Sequence, residues 1–176
     1  MPIDFRAKGL AYERKIARQF SQWWCGNPLA LWRNTNSGAR ATVMGEVYSG
    51  DIIPAMDSAV PWPFSIEIKK SEQWSVDNFL NGNDGEPLLK YMIQCLESAD
   101  VGCNTYAMLI CAKNHKKPLC FLHAPSFGST FYGKRHYTAR LLDRNIELDI
   151  QWPHPIDFYV MHLETFFKEF KREDFT

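Results

Sequence analysis

The sequence has no long apolar segment. None of its 176 residues lies in a run of about 18 apolar residues, the length that a membrane-spanning helix needs. The first 15 residues, MPIDFRAKGLAYERK, carry charges where a secretion signal would need its apolar stretch. We therefore expect no membrane partner and a cytoplasmic location.

Cysteine is sparse and irregularly placed. The five cysteines stand at positions 25, 95, 103, 111 and 120, an odd number that cannot be paired completely into disulfides. No two of them have the two-residue spacing of a zinc site. The pattern predicts reduced and mostly buried thiols.

Three catalytic signatures are also missing. The sequence contains no P-loop, no G-x-S-x-G nucleophile motif and no glycine fingerprint of a dinucleotide-binding fold. These absences argue against P-loop nucleotide hydrolysis, serine hydrolysis of that type and dinucleotide-dependent oxidoreduction.

The chain as a whole has no excess of positive or negative charge, but its first 40 residues have an excess of positive charge. The formal net charge is zero, yet residues 1–40 hold seven basic residues against two acidic ones. Such a local excess can attract phosphates on a protein that is neutral overall. From charge alone, a solvated helix face explains the pattern equally well.

What the sequence does contain is an alternation of helical and strand patterns. Apolar spacing predicts helices over 8–25, 86–99 and 159–171, and alternation predicts strands over 29–35, 50–55, 64–70, 105–113 and 118–123. Residues 36–50 and 71–85 are expected to be loops, and 124–158 follow no clear pattern. Helices placed between strands favour a sheet flanked by helices, and the absence of a linker or repeat favours one domain over residues 1–176.

The clearest strand is FSIEIKK at residues 64–70. Phe64, Ile66 and Ile68 occupy one face, and the intervening polar residues occupy the other. Glu67 and Lys69 are therefore expected to project together, while the apolar face packs on the core.

Four residues form a set with chemical meaning. Asp51 begins one strand, Glu67 and Lys69 form E-x-K on the next, and Glu13 lies on the first helix. Carboxylates with a nearby carbonyl can hold a hard divalent ion, which acidifies a bound water. A neighbouring lysine can orient that water and offset charge in the transition state, which is what phosphodiester hydrolysis requires. Taken singly, Asp51 also suits a turn, and E-x-K also suits a solvated cross-strand pair.

These residues resemble a known group of enzymes. Gly50-Asp51 followed by Glu67-Ile68-Lys69 is similar to the signature of the PD-(D/E)XK nuclease superfamily. Residues 8–15, KGLAYERK, and residues 33–38 resemble the first helix and the Arg and Ser-Gly loop of archaeal-type Holliday-junction resolvases. Two departures stand out: Gly50 replaces the usual proline, and residues 124–176 have no counterpart in those resolvases.

The resemblance implies a fold and a site. The fold would be α/β, a restriction-endonuclease-like mixed β-sheet flanked by helices, with an αβββαβ core over about residues 7–123 and a C-terminal extension over 124–176. Asp51 and Glu67 would be metal ligands supported or completed by Glu13, and Lys69 would be the catalytic lysine. The metal would be Mg²⁺, with Mn²⁺ as a substitute.

The same resemblance implies contacts with DNA, branched or duplex. The residues expected to contact its phosphates are Lys8, Arg14, Lys15, Arg33, Ser37 and Arg40. Tyr91 and Gln94 would be auxiliary site residues, although ordinary helix surface is the slightly better explanation of both. A DNA substrate would also suit association with the nucleoid, and symmetric cutting of a junction would require a homodimer.

Four functions remain open at this point. The leading one is a Mg²⁺-dependent DNA endonuclease acting on branched or junction DNA. The others are a restriction-like or repair nuclease acting on unbranched DNA, a non-catalytic nucleic-acid-binding protein of the same fold, and a structural protein in which the motif occurs by chance. Convergence of Asp51, Glu67 and Lys69 in space would argue against the last of these.

Overall fold

A computed structural model describes residues 5–35, 49–55, 60–80, 87–124, 137–141 and 156–176. Within these ranges the helices are α1 (Phe5–Cys25), α2 (Val76–Leu80), α3 (Pro87–Val101) and α4 (Leu163–Glu169), followed by a 3-10 turn at Arg172–Phe175. The strands are β1 (Leu31–Arg33), β2 (Ile52–Pro54), β3 (Phe64–Lys70), β4 (Tyr106–Ala112), β5 (Leu119–His123), β6 (Tyr137–Leu141) and β7 (Ile156–His162).

Five of the strands form one mixed sheet. Their order is β3-β4-β5-β7-β6, with β3 and β4 parallel and the other neighbours antiparallel. Strands β1 and β2 pair separately as a short antiparallel ribbon. Strand β3 therefore forms one edge of the larger sheet.

Helices cover both faces of this sheet. On one face, α1 and α4 pack with β3 through an aromatic cluster that includes Phe20, Phe64 and Phe166. On the other face, α2 and α3 bury Phe79, Leu88 and Met92 against β4 and β5. The predicted mixed α/β sheet flanked by helices is confirmed.

Both faces of β3 are buried along most of the strand. The apolar set Phe64, Ile66 and Ile68 packs in the core as expected. Ser65 and Glu67 on the opposite face are also buried, however, because α3 covers that face. Only Lys69 and Lys70 at the end of the strand retain access to solvent.

The segment 71–85 was expected to be a loop, but residues 76–80 form helix α2. Ser75 explains its start: its hydroxyl accepts a hydrogen bond from the Asn78 backbone N–H at 3.3 Å, which is the role of a helix N-cap. Burial of Trp74 and Phe79 against the α3 side holds this short helix in place. Residues 81–85 lie outside the described residues.

The predicted helix 159–171 was wrong in its first part. Residues 156–162 form β7, which pairs with β5 on one side and with β6 on the other. Pairing on both sides satisfies the strand's backbone groups, and this tertiary gain overrides a helical pattern in the sequence. The helix begins only at Leu163, and Phe166 and Phe170 then enter the aromatic core.

The C-terminal extension is therefore integrated with the core. Strand β7 continues the sheet beside β5, and Phe175 in the final turn lies 4.9 Å from Phe64 between ring centroids. The single-domain organisation of the whole chain stays a prediction.

The five cysteines are free thiols, and Cys95, Cys111 and Cys120 are buried. In the described ranges, no helix is both long enough and apolar enough to cross a membrane.

Candidate active site

Asp51 lies against the exposed edge of β3. Its backbone N–H donates to the Ile66 carbonyl oxygen at 2.6 Å, and its carboxylate Oδ2 accepts from the Ile68 N–H at 2.8 Å. The carboxylate thus takes the place of a neighbouring strand for those two residues. Because Glu67 lies between Ile66 and Ile68 in the strand, these two hydrogen bonds hold Asp51 beside Glu67.

Gly50 explains how Asp51 comes so close to the strand. Its φ is +85°, and a Cβ added there would lie 2.7 Å from the Ile66 nitrogen. A proline could not adopt this φ, and any side chain would collide with β3. This turn therefore requires Gly50, which occupies the position of the usual proline in the nucleases that the sequence resembles.

Polar side chains brace the same turn. Asn34 is buried, and its side-chain amide donates to the Gly50 carbonyl oxygen at 3.0 Å. The Ser49 hydroxyl lies 3.1 Å from the Ser65 hydroxyl and accepts from the Asn104 amide at 3.0 Å. The sequence offered no signal for these contacts, because they join segments that are distant along the chain.

Glu67 and Lys69 meet on the same side of β3, as their alternation predicts. Lys69 Nζ lies 3.2 Å from Glu67 Oε2. The Glu67 side chain is only 7% exposed, whereas that of Lys69 is 23% exposed. The ammonium group therefore lies at the mouth of the site and the carboxylate at its base.

The pKa of Glu67 is raised above its usual value. Burial is the largest cause, and the Asp51 carboxylate adds to it by repulsion, while Lys69 and a hydrogen bond from Ser98 oppose the shift. Burial and the nearby carboxylate both disfavour the charged form of Glu67. The pair of carboxylates therefore favours a cation beside it.

Helix α3 contributes a row of three side chains to this site. The Gln94 amide lies 3.5 Å from Glu67 Oε2, and the Ser98 hydroxyl donates to Glu67 Oε1 at 3.2 Å. The Tyr91 ring centroid lies 5.6 Å from Lys69 Nζ, within the range of a cation–π contact. Tyr91 and Gln94 thus both lie beside the site, with Gln94 exposed on α3, and their auxiliary role stays a prediction. Ser98 was missed, although it stands one helical turn beyond Gln94.

A cleft of about 200 Å³ opens above Lys69, and its walls include Tyr12 and Glu13 from α1 and Tyr91 from α3. Glu13 accepts a hydrogen bond from Arg33 Nε at 2.5 Å. Burial raises the pKa of Tyr12 to about 12, and its buried hydroxyl has no hydrogen-bond partner within the described residues. The hydroxyl of Tyr12, a residue that sequence reasoning did not single out, therefore stays protonated beside the cleft.

The donor set can be compared with what a divalent ion needs. No group of three or more His, Cys, Asp or Glu side chains suited to a metal occurs within the described ranges, and Glu13 is paired with Arg33. Mg²⁺ is commonly held by one or two carboxylates, with water and substrate phosphate completing its shell. Asp51 and Glu67 fit this pattern, and a role for Glu13 as a third ligand stays a prediction.

The remaining predicted residues lie around this cleft or outside the described ranges. Lys8, Arg14 and Lys15 are exposed on α1, and Arg33 is half-buried beside Glu13. Ser37 and Arg40 lie outside the described residues.

The sequence was compared with known protein families over its whole length. Residues 4–176 match the family described as "Phage putative PDDEXK endonuclease". The chain belongs to this PDDEXK endonuclease family. No curated protein and no solved structure matches the chain.

Membership of the PDDEXK endonuclease family confirms the superfamily to which Asp51, Glu67 and Lys69 pointed. It implies a nucleic-acid substrate and hydrolysis within the strand. The match also extends through the C-terminal segment that the resolvase resemblance left unexplained. The closer resemblance to archaeal-type resolvases stays a prediction.

Proposed function

We propose that the protein is a Mg²⁺-dependent DNA endonuclease whose active site is formed by Asp51, Glu67 and Lys69. The observation that supports this most is the position of the Asp51 carboxylate, bound to the Ile68 N–H directly between Glu67 and Lys69. A chance motif on a solvated strand would not bury one carboxylate and hold a second one beside it.

Each residue has a distinct part in this proposal. Asp51 and Glu67 hold the cation, and Ser98 and Gln94 orient the Glu67 carboxylate from α3. A bound Mg²⁺ would supply an acidified water and neutralise charge on the scissile phosphate. Lys69 orients the attacking water and stabilises the additional negative charge of the transition state. The Tyr91 ring beside it limits where the ammonium group can move.

The proposed substrate is DNA, and a four-way or otherwise branched form is preferred. Residues 8–15 and 33–38 support this, because they resemble the junction-resolving nucleases in the segments around the site. Exposed Lys8, Arg14 and Lys15 lie on the same helix as Tyr12 and Glu13 of the cleft, so phosphates can reach both. Symmetric cutting of a four-way junction would be carried out by a homodimer.

A panel of labelled linear, flapped and four-way DNA substrates tests the proposal. Incubation with Mg²⁺ or Mn²⁺ is expected to cut, whereas Ca²⁺ should support binding better than cutting because it holds oxygen ligands at longer distance. Equal cutting of linear and branched DNA would favour a restriction-like or repair nuclease. Full activity in EDTA would contradict the proposal. So would cutting of RNA versions of these substrates without cutting of the DNA.

A further inference from the structure

An exposed aromatic side chain lies beside the proposed active site and has no part in the site as described. Trp32 in β1 is 58% exposed, and Leu29 just before it is 60% exposed. The only other large hydrophobic residue exposed in the described ranges is Val101, which lies elsewhere, at the end of α3. Trp32 and Leu29 together line a groove of about 280 Å³.

The Trp32 ring is held in place rather than free to rotate. Its indole N–H donates to the Leu29 carbonyl oxygen at 2.6 Å. The backbone of β1 is paired with β2, opposite Ile53, so the residue is also anchored on the main chain. The only polar group of the side chain is therefore satisfied internally, and a ligand can use its aromatic surface with little loss of side-chain entropy.

The charge around this aromatic ring identifies the kind of ligand. Three arginines line the groove, Arg14, Arg18 and Arg33, and no acidic residue does among the residues that the structure describes. An adjoining depression shares Arg14 and Arg18 and adds Lys15, and the described part of the chain contributes no acidic residue to its lining either. An apolar platform bordered by three arginines, one of them paired with Glu13, fits a ligand that carries flat aromatic groups on an anionic backbone, which is single-stranded nucleic acid.

One ion pair connects the walls of the groove and of the cleft above Lys69. Arg33 lines the groove, and its guanidinium binds Glu13, which lines that cleft. A strand with its scissile phosphate near Lys69 can therefore extend past Arg33 and reach Trp32.

We propose that Trp32 stacks with an unpaired base of the substrate, and that Arg14, Arg18 and Arg33 contact its neighbouring phosphates. The inference rests on the proposed function, since it assumes a nucleic-acid substrate. It narrows that substrate to DNA with unpaired nucleotides next to the cutting site, such as a single strand, a flap or an opened branch point.

Binding without cleavage tests the inference separately from catalysis. A fluorescently labelled single-stranded oligonucleotide and the same sequence as a blunt duplex are titrated with protein in EDTA. Loss of one base–aromatic stack is expected to weaken the affinity of Trp32→Ala for the single strand about 5- to 100-fold. Trp32→Phe should retain most of the affinity because it keeps a ring, and duplex affinity should change less than about twofold because paired bases cannot stack on the ring.

Val101→Ala is the matched control, because it truncates another exposed apolar side chain that does not line the groove. Melting curves establish that each variant is folded, and light scattering gives its mass. Unchanged single-strand binding by Trp32→Ala, or an equal loss on blunt duplex, would overturn the inference. So would a smaller assembly for Trp32→Ala, which would make this face a contact between copies of the chain. If the wild type binds single strands through Trp32 but cuts no DNA, the proposed function fails and the base-stacking site stands.

Discussion

Lys69 lies between a carboxylate and an aromatic ring at the mouth of a cleft. Its ammonium group is 3.2 Å from Glu67 and 5.6 Å from the centroid of Tyr91. Both neighbours favour a positive charge at that point. The side chain is therefore positioned to act on a bound phosphate or water rather than to stabilise the core.

Lys69→Ala is expected to remove most cleavage and to leave DNA affinity largely intact. A group that acts mainly in the transition state affects the rate more than ground-state binding. Loss of one positioned electrostatic contact of this kind lowers kcat by about 10²–10³-fold. Single-turnover cleavage and binding in Ca²⁺ measure the two effects.

Lys168→Ala is the control for charge, since Lys168 is an exposed lysine on α4. Both variants need a melting curve, so that unfolding is not mistaken for loss of chemistry. A folded Lys69→Ala protein that cuts at the wild-type rate would show that the E-x-K motif has no catalytic part.

Glu67 is expected to reduce stability when no metal is bound. Its pKa is raised by burial and by Asp51, so the folded state binds the proton more tightly than the unfolded chain does. Stability then falls as pH rises from about 4.5, the ordinary value, through the raised pKa of the folded protein. A neutral side chain at this position would avoid that loss.

Glu67→Gln should therefore melt at a higher temperature than wild type at neutral pH in EDTA. We expect a rise of about 2–4 °C, which corresponds to about 1 kcal/mol in a chain of this size. The difference should shrink as the pH falls towards and below 4.5, because the carboxyl then becomes protonated in both states. Added Mg²⁺ should raise the melting temperature of the wild type and not that of the variant, because only the wild type keeps both ligands. Equal stabilisation of both proteins by Mg²⁺ would exclude Glu67 as a ligand.

Strand β3 positions the site because one of its edges has no neighbouring strand in the larger sheet and both of its faces are covered. The edge accepts the Gly50–Asp51 turn, and the face covered by α3 places Glu67 under Ser98. The site thus depends on the contact of the Gly50–Asp51 turn and helix α3 with strand β3. A change in the turn should disturb the site without altering any charged residue.

Glycine-to-alanine substitutions at two positions test this dependence, and they are expected to change the stability of the protein in opposite directions. Gly50→Ala should destabilise the protein by at least about 1–3 kcal/mol, because φ is +85° and the new Cβ would meet β3 at 2.7 Å. Gly9→Ala should stabilise it by about 0.5–1 kcal/mol, because Gly9 lies inside α1 with nothing within 4 Å of the new Cβ. Urea unfolding measures both. A Gly50→Ala protein as stable as wild type would mean that the turn does not approach β3 in this way.

At the scale of the whole molecule, the neutral chain concentrates its basic residues beside the proposed active site. Lys8, Arg14, Lys15 and Arg18 are exposed along α1, which also supplies Glu13 to the cleft. DNA would therefore approach along this helix, and its phosphates would release counterions there.

Replacing Arg14 and Lys15 together by Ala should weaken DNA binding and flatten its dependence on salt. Each lost phosphate contact lowers the slope of log affinity against log salt by about 0.9, so a decrease of about 1–2 is expected. Affinities at several NaCl concentrations in Ca²⁺ give the slope. Lys168→Ala combined with Lys171→Ala removes the same charge from two exposed residues near the C-terminus and should leave the slope unchanged. An unchanged slope in Arg14→Ala/Lys15→Ala would mean that α1 does not contact the DNA backbone.

Local patterns determined the first helix and strand β3, and they pointed to the residues of the proposed site. The apolar period of residues 8–25 and the alternation of residues 64–70 each need only their own segment to bury one face. The motif around Asp51, Glu67 and Lys69 then sufficed to predict the superfamily that the family match confirms.

Tertiary structure alone decided the rest, because it depends on which segments meet. Residues 156–162 become a strand only because β5 and β6 offer hydrogen bonds on both sides. Ser98 reaches Glu67 only because α3 covers the second face of β3, and Trp32 stays exposed while its neighbour Leu31 is buried. The periodicity of a segment predicts which of its faces can be buried. Which other segments pack against that face depends on contacts between residues far apart in the chain.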